Sequence, residues 1–299
     1  MGPLTRRWVP GVLVMAALVL AGCGRAADSP PDAAAEAPSD TTTSTMSPGV
    51  STTEVPDPGG AGAANGVAAR PSWLGTRPLP LRPDGYGEVQ PTPPELRDRR
   101  LATIDVLDPP VDAAFASSVG PVPPAVTARS TWEPACPVGL DDLRHVTVSF
   151  WGFDDRPHTG ELLVHADVAD DVVGAFARLH QARFPIEEMR ITRHDELEAH
   201  PTGDANNTGA FVCRPTRGTT SWSEHAYGRA VDINPFHNPY VKGDLVLPEL
   251  ASAYIDRSTP RPGMILPDDV ATAAFADIGW GWGGTWRSQD YMHFSASGR

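Results

Sequence analysis

The stretch that most restricts this chain is one that cannot fold. Residues 24–70 are built from Ala, Ser, Thr, Pro, Gly and Asp, with only scattered Val and Met, as in TTTSTMSPGVSTTEVPDPGGAGAANG. So few apolar groups cannot offset the conformational entropy lost on ordering. This segment therefore reads as a flexible linker, and any core must come from the residues after it. Of 299 residues, 40% are hydrophobic and 7% aromatic, enough for one ordinary globular core and too few for a polytopic membrane protein. Lys+Arg number 24 against 37 Asp+Glu, a formal net charge of −13. That balance excludes nucleic acid as a partner, which demands a basic footprint. Lys242 is the sole lysine, so an S-x-x-K nucleophile (Pro239 stands three residues before it) is ruled out.

Past the linker, residues 71–129 are rich in proline but carry Trp73, Tyr86, Leu101, Ile104, Val106 and Leu107. We expect an extended arm lying on a main domain over 130–299. HVTVSFW (145–151) alternates apolar and polar residues, and GELLVHA (160–166) is a second strand pattern. Val168, Val172, Val173, Phe176 and Leu179 fall at helical spacing, with Asp167 or Asp170 as the expected cap and Pro185 as a limit. EEMRITR (187–193) reads as a strand, and VLPELASAYIDR and PDDVATAAFADIG as short helices, the second bounded by Pro267 and Gly279. Strands and helices without strict alternation predict an α+β fold with a small mixed or antiparallel sheet.

The first 22 residues hold Arg6 and Arg7 and an apolar run from Val12 to Leu20, shorter than a bilayer span. The run ends in Leu20-Ala21-Gly22-Cys23, which resembles the lipobox of bacterial lipoproteins. By that resemblance 1–22 is a signal peptide, Cys23 is acylated, and 23–70 tethers an exported domain to a membrane. Lipidation of Cys23 leaves Cys136 and Cys213, which we expect to pair as a disulfide in an oxidising exterior.

The chemistry concentrates in SWSEHAYGRAVDINP (221–235) and WRSQDYMHFS (286–295). His225, Asp232 and His293 are plausible ligands of one metal, since two imidazoles and a carboxylate suit zinc and leave a position for water. His225 and Asp232 stand seven apart, on opposite faces of any unbroken strand. Gly228 between them can supply a bend, putting His225 before it and Asp232 on the strand after it. Asp290 and His293 would likewise face apart unless the chain kinks between them.

Ser223-x-His225-x-x-Gly228-x-Ala230-x-Asp232 followed by Asp290-x-x-His293 resembles the motif pair of the VanY-like zinc D-alanyl-D-alanine carboxypeptidases and L-alanyl-D-glutamate endopeptidases. That family shares an α+β fold with Hedgehog signalling domains. The resemblance implies Zn2+ on His225, Asp232 and His293. It makes Asp290 the general base, where many relatives carry Glu. Arg214 becomes the group that polarises the scissile carbonyl, and Ser223 a hydrogen-bonding residue for substrate or ligand. It further implies peptidoglycan peptides as partners of a monomeric enzyme that meets the membrane only through its lipid. A wall-binding lipoprotein that retains the fold without turnover is the alternative. Arg190 and Arg229 are both candidates for a substrate carboxylate, and neither is preferred.

Other polar residues read as structural. His237 falls outside the motif. His145, His158, His165, His180, His194 and His200 are expected on surfaces, and Glu187 and Glu188 as a solvated pair. Gly279 to Gly284 satisfies G-x-G-x-x-G but follows a helix instead of opening one, so a dinucleotide loop is excluded. Ser223 and His225 are too close for a Ser-His-Asp triad, and no G-x-S-x-G elbow exists.

Overall fold

The computed structural model describes residues 66–299. The signal segment, Cys23 and nearly all of the linker lie outside the described residues. Within them, no helix is long and apolar enough to cross a membrane. The architecture is α+β, with small and mainly antiparallel sheets.

Strands β1 (Ser117–Gly120), β2 (Leu143–Trp151) and β3 (Pro157–His165) form an antiparallel sheet in the order β1-β2-β3, preceded on β2 by the short helix α1 (Pro124–Arg129). Helix α2 (Ala169–Gln181) covers one face of it. Its Val172, Phe176 and Leu179 are buried, and they pack with Val146, Val148, Phe150, Leu162 and Val164 of the hairpin. Each fully buried aliphatic or aromatic side chain contributes about 1.5–3 kcal/mol. The expected aspartate caps are absent. His165 Nδ1 instead accepts from Asp167 N at the start of a 3-10 turn that runs into α2, and Asp170 and Asp171 sit in the helix's first turn. Acidic side chains there still oppose the positive helix terminus.

A second layer holds β4 (Glu188–Met189), β5 (Asn207–Thr208), β6 (Ala230–Asp232), the hairpin β7 (Tyr240–Lys242) and β8 (Leu245–Leu247), helix α3 (Val270–Asp277), β9 (Gly281–Trp282) and β10 (His293–Ser295). Strand β10 lies between β6 and β9, and a Gly209–Asp232 bridge continues the sheet to β5 and β4. Val231 and Phe294 are opposite each other in the β6–β10 register and point into the core, where Phe294 stacks on Phe275 of α3 at 4.2 Å. Because strand side chains alternate, their neighbours Asp232 and His293 share the other face.

Several expectations need correction. The strand over 187–193 shrinks to two residues, because Arg190 and the chain after it turn away to pair with carboxylates. VLPELASAYIDR is no helix: Leu245–Leu247 pairs with β7, a cis Leu247–Pro248 bond follows, and only Ser252–Tyr254 makes a 3-10 turn. Glu187 is not solvated but 1% exposed, gripped by the equally buried Arg99 through two bonds of 2.7 and 2.8 Å. His158 and His180 are buried, not on the surface. His158 bridges Asp105 and Asp154 at 2.7 and 3.0 Å, and the His180 ring packs on Phe115 and Trp151.

Residues 71–129 contribute Leu79, Leu96 and Leu101 to a cluster with Phe236, Val246, Leu250 and Tyr254. Docking starts before them, since Ala68 donates to Arg100 O at 2.8 Å. Cys136 and Cys213 form a disulfide with Cα atoms 5.8 Å apart. It ties the segment before β2 to the residue preceding Arg214.

Candidate metal centre

Three separate pieces of backbone deliver the three donors. Ser223 caps a 3-10 turn over Glu224–Tyr227, its hydroxyl oxygen accepting from His225 N at 3.3 Å. The turn ends at Gly228, with φ of 65°. A Cβ there would also lie 2.7 Å from His165 N and 2.9 Å from Leu143 Cδ2, so both conformation and space demand glycine. The bend expected at Gly228 is thus present, although His225 precedes it in a helical turn instead of a strand. Asp232 and His293 are cross-strand partners in β6 and β10, which brings their side chains together on one face. The kink before His293 is a turn in which His293 N donates to Asp290 O at 3.2 Å.

The donor atoms converge. His225 Nε2 lies 3.2 Å from His293 Nδ1 and 3.2 Å from Asp232 Oδ2, and His293 Nδ1 lies 3.0 Å from Asp232 Oδ1. A tetrahedral ion with bonds of about 2.0–2.1 Å sets its donors about 3.3 Å apart; the two Asp232 contacts use different oxygens, and one donor atom from each residue lies within 4.8 Å of the others, close enough to share an ion. The outer ring nitrogens fit as well. His225 Nδ1 faces Ala210 O at 2.5 Å and His293 Nε2 faces Arg299 O at 3.4 Å. A carbonyl accepts only from N–H, so each contact places the proton on the outer nitrogen and leaves the inner one as a lone pair. Both histidines are buried, at 5% and 6% exposure. The residues present fit a divalent metal.

The electrostatics agree with a cationic centre. Burial pushes the Asp232 carboxyl up, but the His225 and His293 imidazoles more than reverse this and hold it well below the usual range. Burial lowers His293, yet its hydrogen bond to Asp232 and the charges of Asp232 and Asp290 leave it raised. Asp290 moves the other way: burial, then the negative charge of Asp232, raises it to about 7. Its Oδ1 is buried without a hydrogen-bond partner. An unpaired, desolvated carboxyl oxygen beside a metal donor set is suited to proton transfer.

Arg214 feels the charges of both Asp232 and Asp290, while burial pulls its guanidinium below the ordinary value. Its one side-chain hydrogen bond runs to Pro215 O at 3.2 Å, so it forms no ion pair with either carboxylate. The two unranked arginines are committed elsewhere. Arg190 binds Glu188 and Glu196, and Arg229 binds Asp167 at 2.8 Å. His237 is not one of the converging ligand candidates: it is fully buried, with Nε2 donating to Arg99 O at 2.9 Å.

Sequence reading passed over some of the surroundings. Gly283 lies against the site, since a Cβ there would sit 2.6 Å from Asp290 O, 2.9 Å from Asp290 Cβ and 3.3 Å from His293 Cβ. The glycine-rich run was legible as something other than a dinucleotide loop, but not as the surface on which Asp290 rests. Trp286 packs 5.3 Å from the His293 ring, and Tyr240 pairs through its backbone with Asp290.

Two imidazoles and one carboxylate close together, with a second, unpaired carboxyl beside them, form a donor set that could hold a metal ion. Residues 216–296 match the family model described as D-alanyl-D-alanine carboxypeptidase. The match spans His225, Asp232, Asp290 and His293, and supports both the VanY-like resemblance and a carboxypeptidase-like hydrolase function. No curated protein and no solved structure matches the chain significantly.

Proposed function

We propose that the chain is an exported, lipid-anchored zinc peptidase that hydrolyses peptide bonds in peptidoglycan stem peptides. The observation that carries this reading is the closed triangle of His225, Asp232 and His293 donors with the unpaired Asp290 carboxyl next to it. The lipobox-like LAGC and the linker after it support placement outside the cytoplasmic membrane, within reach of the wall.

When bound, zinc supplies a Lewis acid that brings the pKa of water near 7 and polarises a carbonyl. The remaining work falls to the protein. Ser223 fixes the turn that carries His225, and the Ala210 carbonyl holds that imidazole in the tautomer that leaves Nε2 free. Asp290 Oδ1, unpaired and desolvated, accepts a proton from the attacking water and returns it to the leaving amine. Arg214, which has no carboxylate partner, stabilises negative charge on the former carbonyl oxygen.

The test combines metal analysis with digestion. The purified chain should hold one zinc, and muropeptides exposed to it should lose mass equal to a terminal D-alanine or to a severed stem. His225→Ala should lose both metal and turnover. Absence of zinc, or identical behaviour of wild type and His225→Ala on every muropeptide, overturns the reading.

A further inference from the structure

Four arginines surround a cavity that the metal centre does not use. It measures about 350 Å³ and is lined by Arg70, Arg129, Arg190 and Arg193 with Glu188, and by Ile104, Val106 and Ile191. None of these residues is a donor of the metal triangle. Strand β4, whose Glu188 lines the cavity, is separated by β5 from β6, which carries Asp232, and at about 4.8 Å per strand the two backbones are about 10 Å apart.

Each guanidinium has a carboxylate within 4 Å, but not every N–H is used. Arg190 spends four of its five N–H groups on Glu188, Glu196 and Ile191 O. Arg193 uses Nε and Nη2 on Asp195 and leaves Nη1 without a protein partner. Arg129 spends only Nη2, on Glu161, a carboxylate that also binds His145. Arg70 spends only Nη2, on Ala102 O, and stands 3.9 Å from Glu187, which already has Arg99 and Asn206 at 2.7–2.8 Å. Nε and Nη1 of both Arg70 and Arg129 thus remain as spare charged donors in a chain whose net charge is −13.

The rest of the lining is apolar. Ile104 and Val106 are 63% and 52% exposed, yet Asp105 between them is pinned to the buried His158 at 2.7 Å. Two branched aliphatic side chains are thereby held partly in solvent in the same lining as the arginines. An anion with a short aliphatic body would satisfy both surfaces at once, covering the apolar wall while accepting from the spare donors.

We infer that this cavity is a second binding site, selective for a small carboxylate- or phosphate-bearing ligand with an aliphatic portion, and separate from the metal centre. The inference does not depend on the peptidase reading. The test is calorimetric titration of the full chain with succinate and with inorganic phosphate. At least one should bind saturably at one site per chain. Arg193→Gln, an exposed change, and Arg129→Gln should each weaken it at least tenfold and leave the urea midpoint near wild type for Arg193→Gln. Arg217→Gln, on an exposed loop outside the cavity, should change nothing. Val106→Ser should weaken succinate and spare phosphate. The His225→Ala chain, lacking a complete donor set, should bind as wild type. No saturable binding, binding indifferent to Arg193→Gln, or binding lost in His225→Ala (which places the anion on the metal) each overturns the proposal.

Discussion

Replacing Gly283 with alanine inserts one methyl group where Asp290 and His293 leave no room. The new Cβ would fall 2.6 Å from Asp290 O, about 0.8 Å inside the 3.4 Å edge of ordinary contact, and 3.3 Å from His293 Cβ. The first neighbour is backbone, so it cannot swing aside as a side-chain tip would. The turn carrying Asp290 must move by most of an ångström, and His293 by a few tenths. Overpacking of this kind costs about 1–3 kcal/mol of stability. A displacement approaching 1 Å at reacting groups costs about 100-fold in rate, equivalent to about 2.7 kcal/mol in the barrier. Gly283→Ala should therefore lower kcat/KM on muropeptides by 10- to 100-fold and weaken metal retention, while remaining folded by circular dichroism. Gly174→Ala is the control: it lies inside α2 with nothing within 4 Å of the added Cβ, and should stabilise by about 0.5–1 kcal/mol without touching activity. If Gly283→Ala retains wild-type turnover, metal content and urea midpoint, then Asp290 does not depend on that close approach and the site's geometry is misread.

Other perturbations follow from the same structure. In the metal-free chain Asp290 titrates at about 7, so the folded state keeps a proton that the unfolded chain releases above about pH 4. Its contribution to stability is full below the unfolded value and lost as pH rises through 7. Oδ1 is buried while the residue as a whole keeps some contact with solvent, and we expect about 1–2 kcal/mol. Asp290→Asn should flatten that loss in EDTA, keep metal binding and abolish turnover. A steep loss that persists in Asp290→Asn assigns it to another group. Burial raises Glu161, but hydrogen bonds from His145 and Arg129 bring it down to about 2. Its contribution is therefore present above about pH 4.5 and vanishes as pH falls towards 2, and Glu161→Gln should remove about 1–2 kcal/mol of acid-sensitive stability in urea melts at pH 3 against pH 6. Arg99→Met strands the buried Glu187 and should cost about 3–5 kcal/mol, whereas the double change Arg99→Met/Glu187→Met should recover most of it. A single change costing under about 1 kcal/mol refutes the view that the pair is one unit.

The residues that converge in the candidate metal centre could be singled out before any fold was known, because ligand chemistry is a matter of residue type and the ten positions from Ser223 to Asp232 fix a histidine, a bend and a carboxylate in order. The bend at Gly228 was legible for the same local reason, since glycine alone enters that dihedral region without strain. The hairpin over 145–166 and helix α2 announced themselves through their periods of 2 and 3.6. Other assignments failed where local pattern competes with distant partners. Glu187 looked solvated because its counter-ion, Arg99, is 88 residues away in sequence, and His158 is buried between two aspartates of which one, Asp105, comes from the arm. The apolar content of VLPELASAYIDR suited a helix, but β7 was available to pair with its first residues. Tertiary structure alone decided the triangle's edges of 3.0–3.2 Å, the buried oxygen of Asp290 and the close approach at Gly283. These depend on the β6–β10 register and on burial, which are properties of segments brought together by packing. A linear spacing can name the donors, but only the packed sheet sets the distance between them and the dielectric in which they ionise.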